Sequence, residues 1–200
     1  MIRRSWEWLT QKCQTCSRIR LGLGVALGAL FIARILMAGG AAGLAWTNTE
    51  AFCISCHEMR DNVYQEFRGT IHDKNRSGVR AVCSNCHVPH EPIPMLKRKV
   101  SATFELYGHF VSGVIDTREK FEKHRYELAK RVWTRMKETD SLECRNCHHD
   151  DAMDPEKQSE KARSRHQKMK ADGKTCIDCH FGIAHNEPDG PGPQELKIEK

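Results

Sequence analysis

Four cysteine pairs, each followed directly by a histidine, are the residues of this chain best suited to do chemistry. Two residues separate the cysteines of each pair, so the pattern C-x-x-C-H occurs at Cys53/Cys56/His57, Cys83/Cys86/His87, Cys144/Cys147/His148 and Cys176/Cys179/His180. This pattern is the attachment signature of c-type haem: two thiols one helical turn apart bind both haem vinyl groups, and the histidine faces the iron. The sequence therefore predicts four covalently attached haem c groups, with the motif histidines as proximal ligands.

Zinc sites and disulfides are the alternatives for paired cysteines. Neither alternative needs a histidine after every second cysteine, so the repeated histidine favours haem. The composition agrees, because only 39% of the 200 residues are hydrophobic and 7% are aromatic. An apolar core is thin in a chain of this composition, and covalent haem supplies the hydrophobic mass that is missing.

One further histidine follows each motif, and these four are the predicted distal ligands: His72, His90, His166 and His185. In each half of the chain, a histidine follows the first motif by 15 or 18 residues and the second motif by 3 or 5 residues. This internal repeat predicts two duplicated dihaem units, at about residues 50–92 and 141–187. A filled coordination sphere suits electron transfer, because it leaves the iron no position for a substrate.

The spacing does not say which distal histidine serves which haem, and ligands could cross between motifs. His109, His124 and His149 fall outside the repeat and are not expected to be ligands. The first motif also differs from the others, because Met59 follows His57 by two residues. Met59 and His57 are therefore alternative ligands of the first iron, and a methionine there would raise the haem potential.

An apolar stretch of 26 residues at positions 21–46, interrupted only by Arg34, predicts a single transmembrane helix. A signal peptide would be shorter, although the small residues at 38–45 leave cleavage as an alternative. Arg34 costs roughly 2.5–3.5 kcal/mol at the centre of a span, and snorkelling is favoured over a functional contact. Cys13 and Cys16 lack a following histidine, so no essential role is expected for them.

Charge sets the expected orientation in a bacterial inner membrane. Residues 1–46 hold six basic groups and one acidic group, whereas residues 47–200 hold 26 basic and 25 acidic groups. The positive-inside rule therefore predicts a cytoplasmic segment at 1–20 and a periplasmic haem domain at 47–187. The nearly neutral haem domain argues against nucleic acid as a partner.

The elements that must position the motifs are predicted to be helices and loops. A helix is expected at about residues 95–107, and a second helix should begin at a cap on Asp116 or Thr117 and end near Met136. Residues 188–200 are rich in proline and glycine at their start and are expected to form a flexible tail. The fold class is mainly α: one transmembrane helix and a loop-rich, α-helical tetrahaem domain built from two dihaem units.

Beyond the haem motifs, the sequence resembles the NapC/NirT family of membrane-anchored tetrahaem cytochromes c. The stretches that carry the resemblance are residues 47–59, 75–80, 86–90, 105–108, 113–117, 176–180 and 182–185. The resemblance implies a quinol dehydrogenase that takes electrons from menaquinol or ubiquinol and delivers them to a periplasmic reductase. Nitrate reductase is the first expectation. A nitrite or N-oxide reductase is the alternative acceptor, and a terminal multihaem reductase is the alternative from another class.

The resemblance also implies a quinol site beside the first haem. Met59 matches the methionine that can ligate this haem, and Glu105 matches an acidic residue on its distal, quinol side, although Phe104 replaces the usual lysine. Arg98 and Lys99 match basic residues one and a half to two turns earlier. Quinol oxidation releases two protons, and a carboxylate can accept one. The alternative for Glu105 is an exposed helix acid paired with Arg98 or Lys99.

Overall fold

A computed structural model describes the backbone of residues 2–169 and 171–196, and the side chains of residues 18–169 and 171–196. Every regular element in these ranges is a helix, as the mainly α prediction requires. The chain forms two units, residues 1–47 and residues 48–200.

The first unit is one long helix, α1 (Ile2–Trp46). Within its segment Arg18–Trp46, which is long enough to cross a membrane, a window of 18 residues has a mean hydropathy of 2.1 and none of it is buried. The helix contains the predicted span at 21–46 and extends N-terminal to it. An apolar N-terminal helix is thus confirmed, and its orientation in the membrane stays a prediction. Cys13 and Cys16 lie outside the residues whose side chains are described.

The second unit consists of short helices joined by loops. The helices are α2 (Glu50–Cys53), α3 (Tyr64–Phe67), α4 (Cys83–His87), α5 (Pro92–Phe110), α6 (Arg118–Glu138), α7 (Leu142–Arg145), α8 (Glu160–Met169) and α9 (Cys176–Cys179). A π-helical turn spans Met59–Val63, and 3-10 turns span Asp150–Ala152, Pro155–Lys157 and Pro193–Glu195.

The residues at the starts of the two long helices explain where these helices begin. Pro92 is the first residue of α5, where a missing N–H costs no hydrogen bond. The Thr117 side chain accepts a hydrogen bond from the Lys120 N–H and caps α6. Asp116, the other predicted cap, instead pairs with the Lys120 ammonium at 2.7 Å.

The apolar core is small, as the composition indicates. Trp133 and Met136 of α6 pack on Ile177 of α9, with partly buried apolar neighbours around them. The structure differs from the flexible tail expected from residue 188. Pro193 is fully buried, and the Lys137 ammonium donates to the carbonyls of Pro193 and Leu196 at 2.7 and 2.8 Å. The half-buried Lys137 near the end of α6 thus holds this segment against the core.

Candidate multihaem site

Short helices position the cysteines of the C-x-x-C-H motifs. The second and fourth motifs form α4 and α9, Cys144 lies in α7, and Cys53 is the last residue of α2. The third residue of α4, Asn85, accepts the Val82 N–H at 2.8 Å through its side chain. Asp178 accepts the Thr175 N–H at 2.8 Å in the same way in α9. Each of these caps fixes the helical turn that brings two thiols to one side.

The second cysteines of the first and third motifs differ from this pattern. Cys56 lies in a bend three residues beyond the end of α2, and Cys147 lies in a turn two residues beyond the end of α7. The Ser55 hydroxyl donates to the Phe52 carbonyl at 2.7 Å, and a side chain that binds a helix carbonyl in this way competes with further helical hydrogen bonds. The Cys147 N–H donates three residues back, to the Cys144 carbonyl at 3.2 Å, which is the tighter 3-10 pattern.

Cys56 and Cys147 therefore lie beyond the ends of α2 and α7, although the Cys144 carbonyl also accepts the His148 N–H at 2.8 Å and this α-type turn encloses Cys147. Covalent attachment of haem at these two cysteines stays a prediction from the motif. The exposure of both thiols is compatible with haem attachment, because the Cys56 side chain is half-buried and Cys147 is exposed. All eight motif cysteines are free thiols, so the disulfide alternative is not supported.

Consecutive motifs are neighbours in space. Helix α2 packs on α4, and α4 packs on α7. The thiol of Cys53 lies within hydrogen-bonding reach of Cys83. The third and fourth motifs are joined by buried Ser141, whose hydroxyl accepts the Ile177 N–H at 3.2 Å. Each motif therefore lies in space next to the motif that follows it in the sequence.

Three motif histidines each face a histidine from another part of the chain. The ring centroids of His87 and His185 are 6.1 Å apart, those of His72 and His148 are 6.3 Å apart, and those of His166 and His180 are 6.0 Å apart. Two of these pairs cross between the halves of the chain. The spacing left the pairing of these histidines open, and the fold brings partners together from distant parts of the chain.

The separation within each pair fits an iron between the rings. An imidazole nitrogen binds a metal at about 2 Å, so two imidazoles on opposite sides of one ion have centroids about 6 Å apart. Burial, then the neighbouring His185, lowers the pKa of His87 to about 3, and burial also lowers the pKa of His185. Both rings are therefore neutral, as a metal ligand requires.

Zinc is not supported by the arrangement of side chains. A structural zinc ion needs four converging ligands, usually several of them cysteines. Among the side chains at 18–169 and 171–196, the only histidine, cysteine or acidic group of three that converges on one point is His57, Glu58 and His109. This group contains no cysteine.

Hydrogen bonds orient the candidate distal rings. His185 Nδ1 lies 3.0 Å from the Val63 carbonyl oxygen, and His166 Nδ1 lies 2.8 Å from Gln158 Oε1. An Nδ1–H that donates to oxygen leaves Nε2 as the metal-binding nitrogen. These contacts therefore give both rings the tautomer that a metal ligand needs.

The surroundings of the first motif are different. The ring facing His57 is His109, at a centroid distance of 5.6 Å, although the repeat did not point to His109. Glu58 is buried, accepts a hydrogen bond from His109 Nδ1, and has Oε1 3.6 Å from His57 Nε2. His109 thus has the same Nδ1 contact with an oxygen as His166 and His185. The feature of the sequence that could have identified His109 is its position on α5, four residues after Glu105.

The roles of His90, predicted from the repeat, and of Met59, predicted from the first motif, as metal ligands remain predictions. His90 is exposed, and its ring contacts no aromatic or histidine ring in the described part of the chain. Met59 is half-buried at the start of the π-helical turn. The structure therefore brings His72, His166 and His185 to motif histidines but does not bring His90 to one.

The three predicted quinol-site residues lie on α5. Arg98 Nη2 and Glu105 Oε1 form an ion pair at 2.8 Å, with Arg98 largely buried and Glu105 54% exposed. The Arg98 Nε–H also donates to the His87 carbonyl at 3.3 Å, so this guanidinium links Glu105 to the second motif. Partial burial, and then the nearby Arg98, lowers the pKa of Lys99.

A buried ion pair holds the segment that carries His185. Arg125 of α6 donates two hydrogen bonds to Glu66, and the Asn186 N–H donates to Glu66 Oε2 at 2.9 Å. Burial alone raises the pKa of Glu66, but Arg125 and the Asn186 N–H outweigh it and leave this pKa below its ordinary value. The ionised carboxylate therefore stabilises the folded state.

Replacing Arg125 by methionine is expected to lower the free energy of unfolding by about 2 kcal/mol at neutral pH. The cause is the loss of charge-assisted hydrogen bonds to a largely buried carboxylate. Because the pKa of Glu66 is depressed, its contribution is complete above about pH 4.3 and is lost as the pH falls below that value. Guanidinium unfolding of the solubilised holoprotein checks this. A cost in Arg125→Met that persists at low pH, or an equal cost in the exposed control Arg131→Met, would contradict it.

An N-terminal membrane-spanning helix and a helical unit with paired histidines at C-x-x-C-H motifs define a membrane-anchored multihaem c-type cytochrome. The chain matches the NapC/NirT cytochrome c family, N-terminal region, over residues 10–190. It therefore belongs to the NapC/NirT family. Members of this family carry covalent haem c and act in respiratory electron transfer.

Several named relatives are similar over most of the chain. The cytochrome c-type protein NapC of Escherichia coli (strain K12) is 50% identical over 94% of this chain and 92% of its own length. The denitrification system component NirT of Stutzerimonas stutzeri is 51% identical over 86% of this chain and 85% of its own. The cytochrome c-type protein TorY of Escherichia coli O157:H7 is 44% identical over 82% of this chain, which covers 46% of TorY. No solved structure matches the chain.

Proposed function

We propose that this protein oxidises membrane menaquinol or ubiquinol beside the first motif and relays electrons through four haem c groups to a periplasmic reductase. The observation that carries the proposal is the row of four neighbouring motifs, each with a facing histidine, in which the first motif has the buried Glu58 carboxylate against its pair. Haem c, when bound, supplies one-electron chemistry at each iron. A relay needs such an order, and its entry point needs a site unlike the rest.

The protein residues of the relay hold and orient the metal ligands. The pairs His87/His185, His72/His148 and His166/His180 would each hold one iron through two imidazoles and so leave no ligand position for a substrate. The Val63 carbonyl and the Gln158 side chain keep two of these rings in the metal-binding tautomer. These three sites are thus suited to electron transfer and not to substrate turnover, which argues against a terminal reductase.

At the entry point, Glu105 accepts a proton from the quinol hydroxyl. Its exposure lets a substrate reach the carboxylate, and its ion pair with Arg98 holds the carboxylate in place. Arg98 and Lys99 supply positive charge that stabilises the oxygen left after deprotonation. Because Arg98 also contacts the His87 backbone, the same guanidinium ties this site to the second motif.

The acceptor that we propose is a periplasmic nitrate reductase, with a nitrite or N-oxide reductase as the alternative. Family membership supports an acceptor of this class, and one relative is named as a denitrification component. The basic residues before the span support a cytoplasmic N-terminus and a periplasmic haem domain.

Quinol-driven reduction tests the proposed function directly. Purified protein is mixed anaerobically with a menaquinol or ubiquinol analogue, without any reductase, and the haem α-band is followed. Prompt reduction is expected. Reduction by dithionite but not by either quinol would mean that another donor feeds the haems.

We also expect His109 to set the properties of the first haem. Because His109 faces His57 and is held by Glu58, replacing His109 by alanine should shift the midpoint potential and the spectroscopic signature of one haem only. A spectroscopic redox titration measures both quantities.

The matched control for this experiment is His124→Ala. His124 also lies on a helix and has Nδ1 2.9 Å from a backbone carbonyl oxygen, but it faces no motif histidine among the described side chains. No haem should change in that variant. Unchanged potentials in His109→Ala would contradict the expectation, and would return the sixth position of the first iron to the other candidates.

A further inference from the structure

Helix α5 carries an apolar stripe that faces away from the rest of its unit. The residues of this outer stripe are spaced three or four apart and are Ile93, Leu96, Val100, Phe104, Tyr107 and Val111. Each is between 55% and 75% exposed. Phe110 beside them is 73% exposed. Spacing of this kind normally marks the buried face of a helix.

The inward face of α5 carries its largely buried polar side chains. Met95, Arg98 and His109 lie on the side opposite the stripe, at 100° per residue, and the Arg98 and His109 side chains are only 13% and 22% exposed. The contacts of α5 with motif residues, from Arg98 to the His87 carbonyl and from His109 to the His57 ring, are therefore made by this face and not by the stripe. A contiguous apolar surface of this size marks a site of interaction with an apolar partner.

Chain connectivity brings α5 close to the membrane. Asn48 is two residues beyond Trp46, the last residue of the spanning helix. The Asn48 side-chain amide donates to Met95 Sδ at 3.6 Å, in the first turn of α5. Two residues of chain and one side-chain contact bridge only about 15 Å. The start of α5 is thus tethered beside the point where the chain leaves the bilayer.

We propose that the outer stripe of α5 lies on the outer surface of the lipid bilayer, as a second membrane contact besides the spanning helix. The 19 residues of α5 give an apolar surface about 28 Å long. Aliphatic and aromatic side chains at this spacing are typical of helices that lie in the interface. The exposed Lys97 beside the stripe adds attraction to anionic headgroups.

The bilayer is favoured over a protein partner because it is the apolar phase next to which the tether holds α5. The contact does not depend on the proposed quinol chemistry. If both hold, Glu105 lies beside Arg98 at the exposed edge of the inward face, within reach of a molecule that leaves the lipid phase. The test below uses no activity measurement, so the two proposals succeed or fail separately.

Lipid cross-linking tests the contact in the full-length holoprotein. The protein is reconstituted in nanodiscs of phosphatidylethanolamine and phosphatidylglycerol that contain a lipid with a diazirine-bearing acyl chain. After irradiation, trypsin releases α5 residues from Val100 onward as the peptide 100–118, and releases 21–34 from the anchor and 126–130 from α6. Lipid adducts are expected on 21–34 and 100–118 and not on 126–130.

A pair of variants makes the test specific to the stripe. Phe104→Glu places a charge in the stripe and should reduce adducts on 100–118 several-fold without changing those on 21–34. Ser101→Glu adds the same charge on an exposed position of α5 outside the stripe and should leave the adducts unchanged. Both positions are exposed, so neither variant should alter the haem spectrum. Adducts confined to 21–34, or adducts on 100–118 that persist at full level in Phe104→Glu, would overturn the proposal.

Discussion

Replacing Glu105 by glutamine is expected to slow quinol-driven reduction of the haems by about 100-fold, because a positioned general base contributes at least that factor. Dithionite, which needs no proton acceptor on the protein, should still reduce every haem. The Arg98 ion pair is lost in this variant, but Glu105 is 54% exposed, so its loss costs little stability. Stopped-flow absorption at the haem α-band measures the rate with each reductant.

Glu127→Gln is the matched control, since Glu127 is an exposed acid on α6. Its quinol rate should equal that of the unmodified protein. A Glu105→Gln variant that also keeps the full rate would remove Glu105 from the mechanism. A variant that is slow with dithionite as well would indicate a damaged haem site and not a missing base.

Replacing His185 by alanine should convert one haem from low spin to high spin and block most electron flow from quinol to the reductase. The reason is that the His185 ring lies 6.1 Å from His87 of the second motif, which stands between the first and third motifs. Low-temperature electron paramagnetic resonance measures the spin states. His185→Met should restore a low-spin haem at a higher potential, because methionine is still a ligand.

A double variant distinguishes pairing across the fold from pairing along the sequence. His185 follows the fourth motif by five residues, so a local pairing would assign it to the fourth haem. If His87 and His185 face the same iron, then His87→Met combined with His185→Ala alters one haem in total. If they serve different irons, the double variant alters two. The second result would contradict the arrangement seen in the fold.

The crossed histidine pairs also indicate what holds the two repeats together. His185, from the second repeat, faces the first repeat at His87, and His72, from the first repeat, faces His148. An iron between such rings would join distant parts of the chain, and a bound metal that requires the folded arrangement stabilises it. The small apolar core around Trp133 is consistent with a unit held together largely in this way.

The features that depend on local spacing were predictable from the sequence. Attachment of haem c needs only two cysteines and a histidine within five residues, and an anchor needs only a long apolar run. Helices α5 and α6 were also predicted, because proline, capping residues and charges near their ends act within a single turn. The structure extended α5 by about a turn at each end and chose Thr117 over Asp116 as the cap of α6.

The backbone inside each motif was less predictable than the motif itself. The same C-x-x-C-H spacing is helical throughout the cysteines of α4 and α9, whereas Cys56 and Cys147 lie beyond the ends of α2 and α7. The difference lies in the caps. The side chains of Asn85 and Asp178 hold α4 and α9 from their starts, while α2 and α7 begin before their first cysteine and end before their second.

Only the tertiary structure decided which side chains meet. The facing partners of His87 and His148 come from about 100 and 76 residues away along the chain, so no local pattern could identify them. The same limit applies to α5. Its apolar periodicity predicts a buried face, yet the fold turns Arg98 and His109 inward and leaves Phe104 in the open. Periodicity shows that a helix has an apolar face, whereas the neighbouring elements, the haem motifs and the membrane determine what that face contacts.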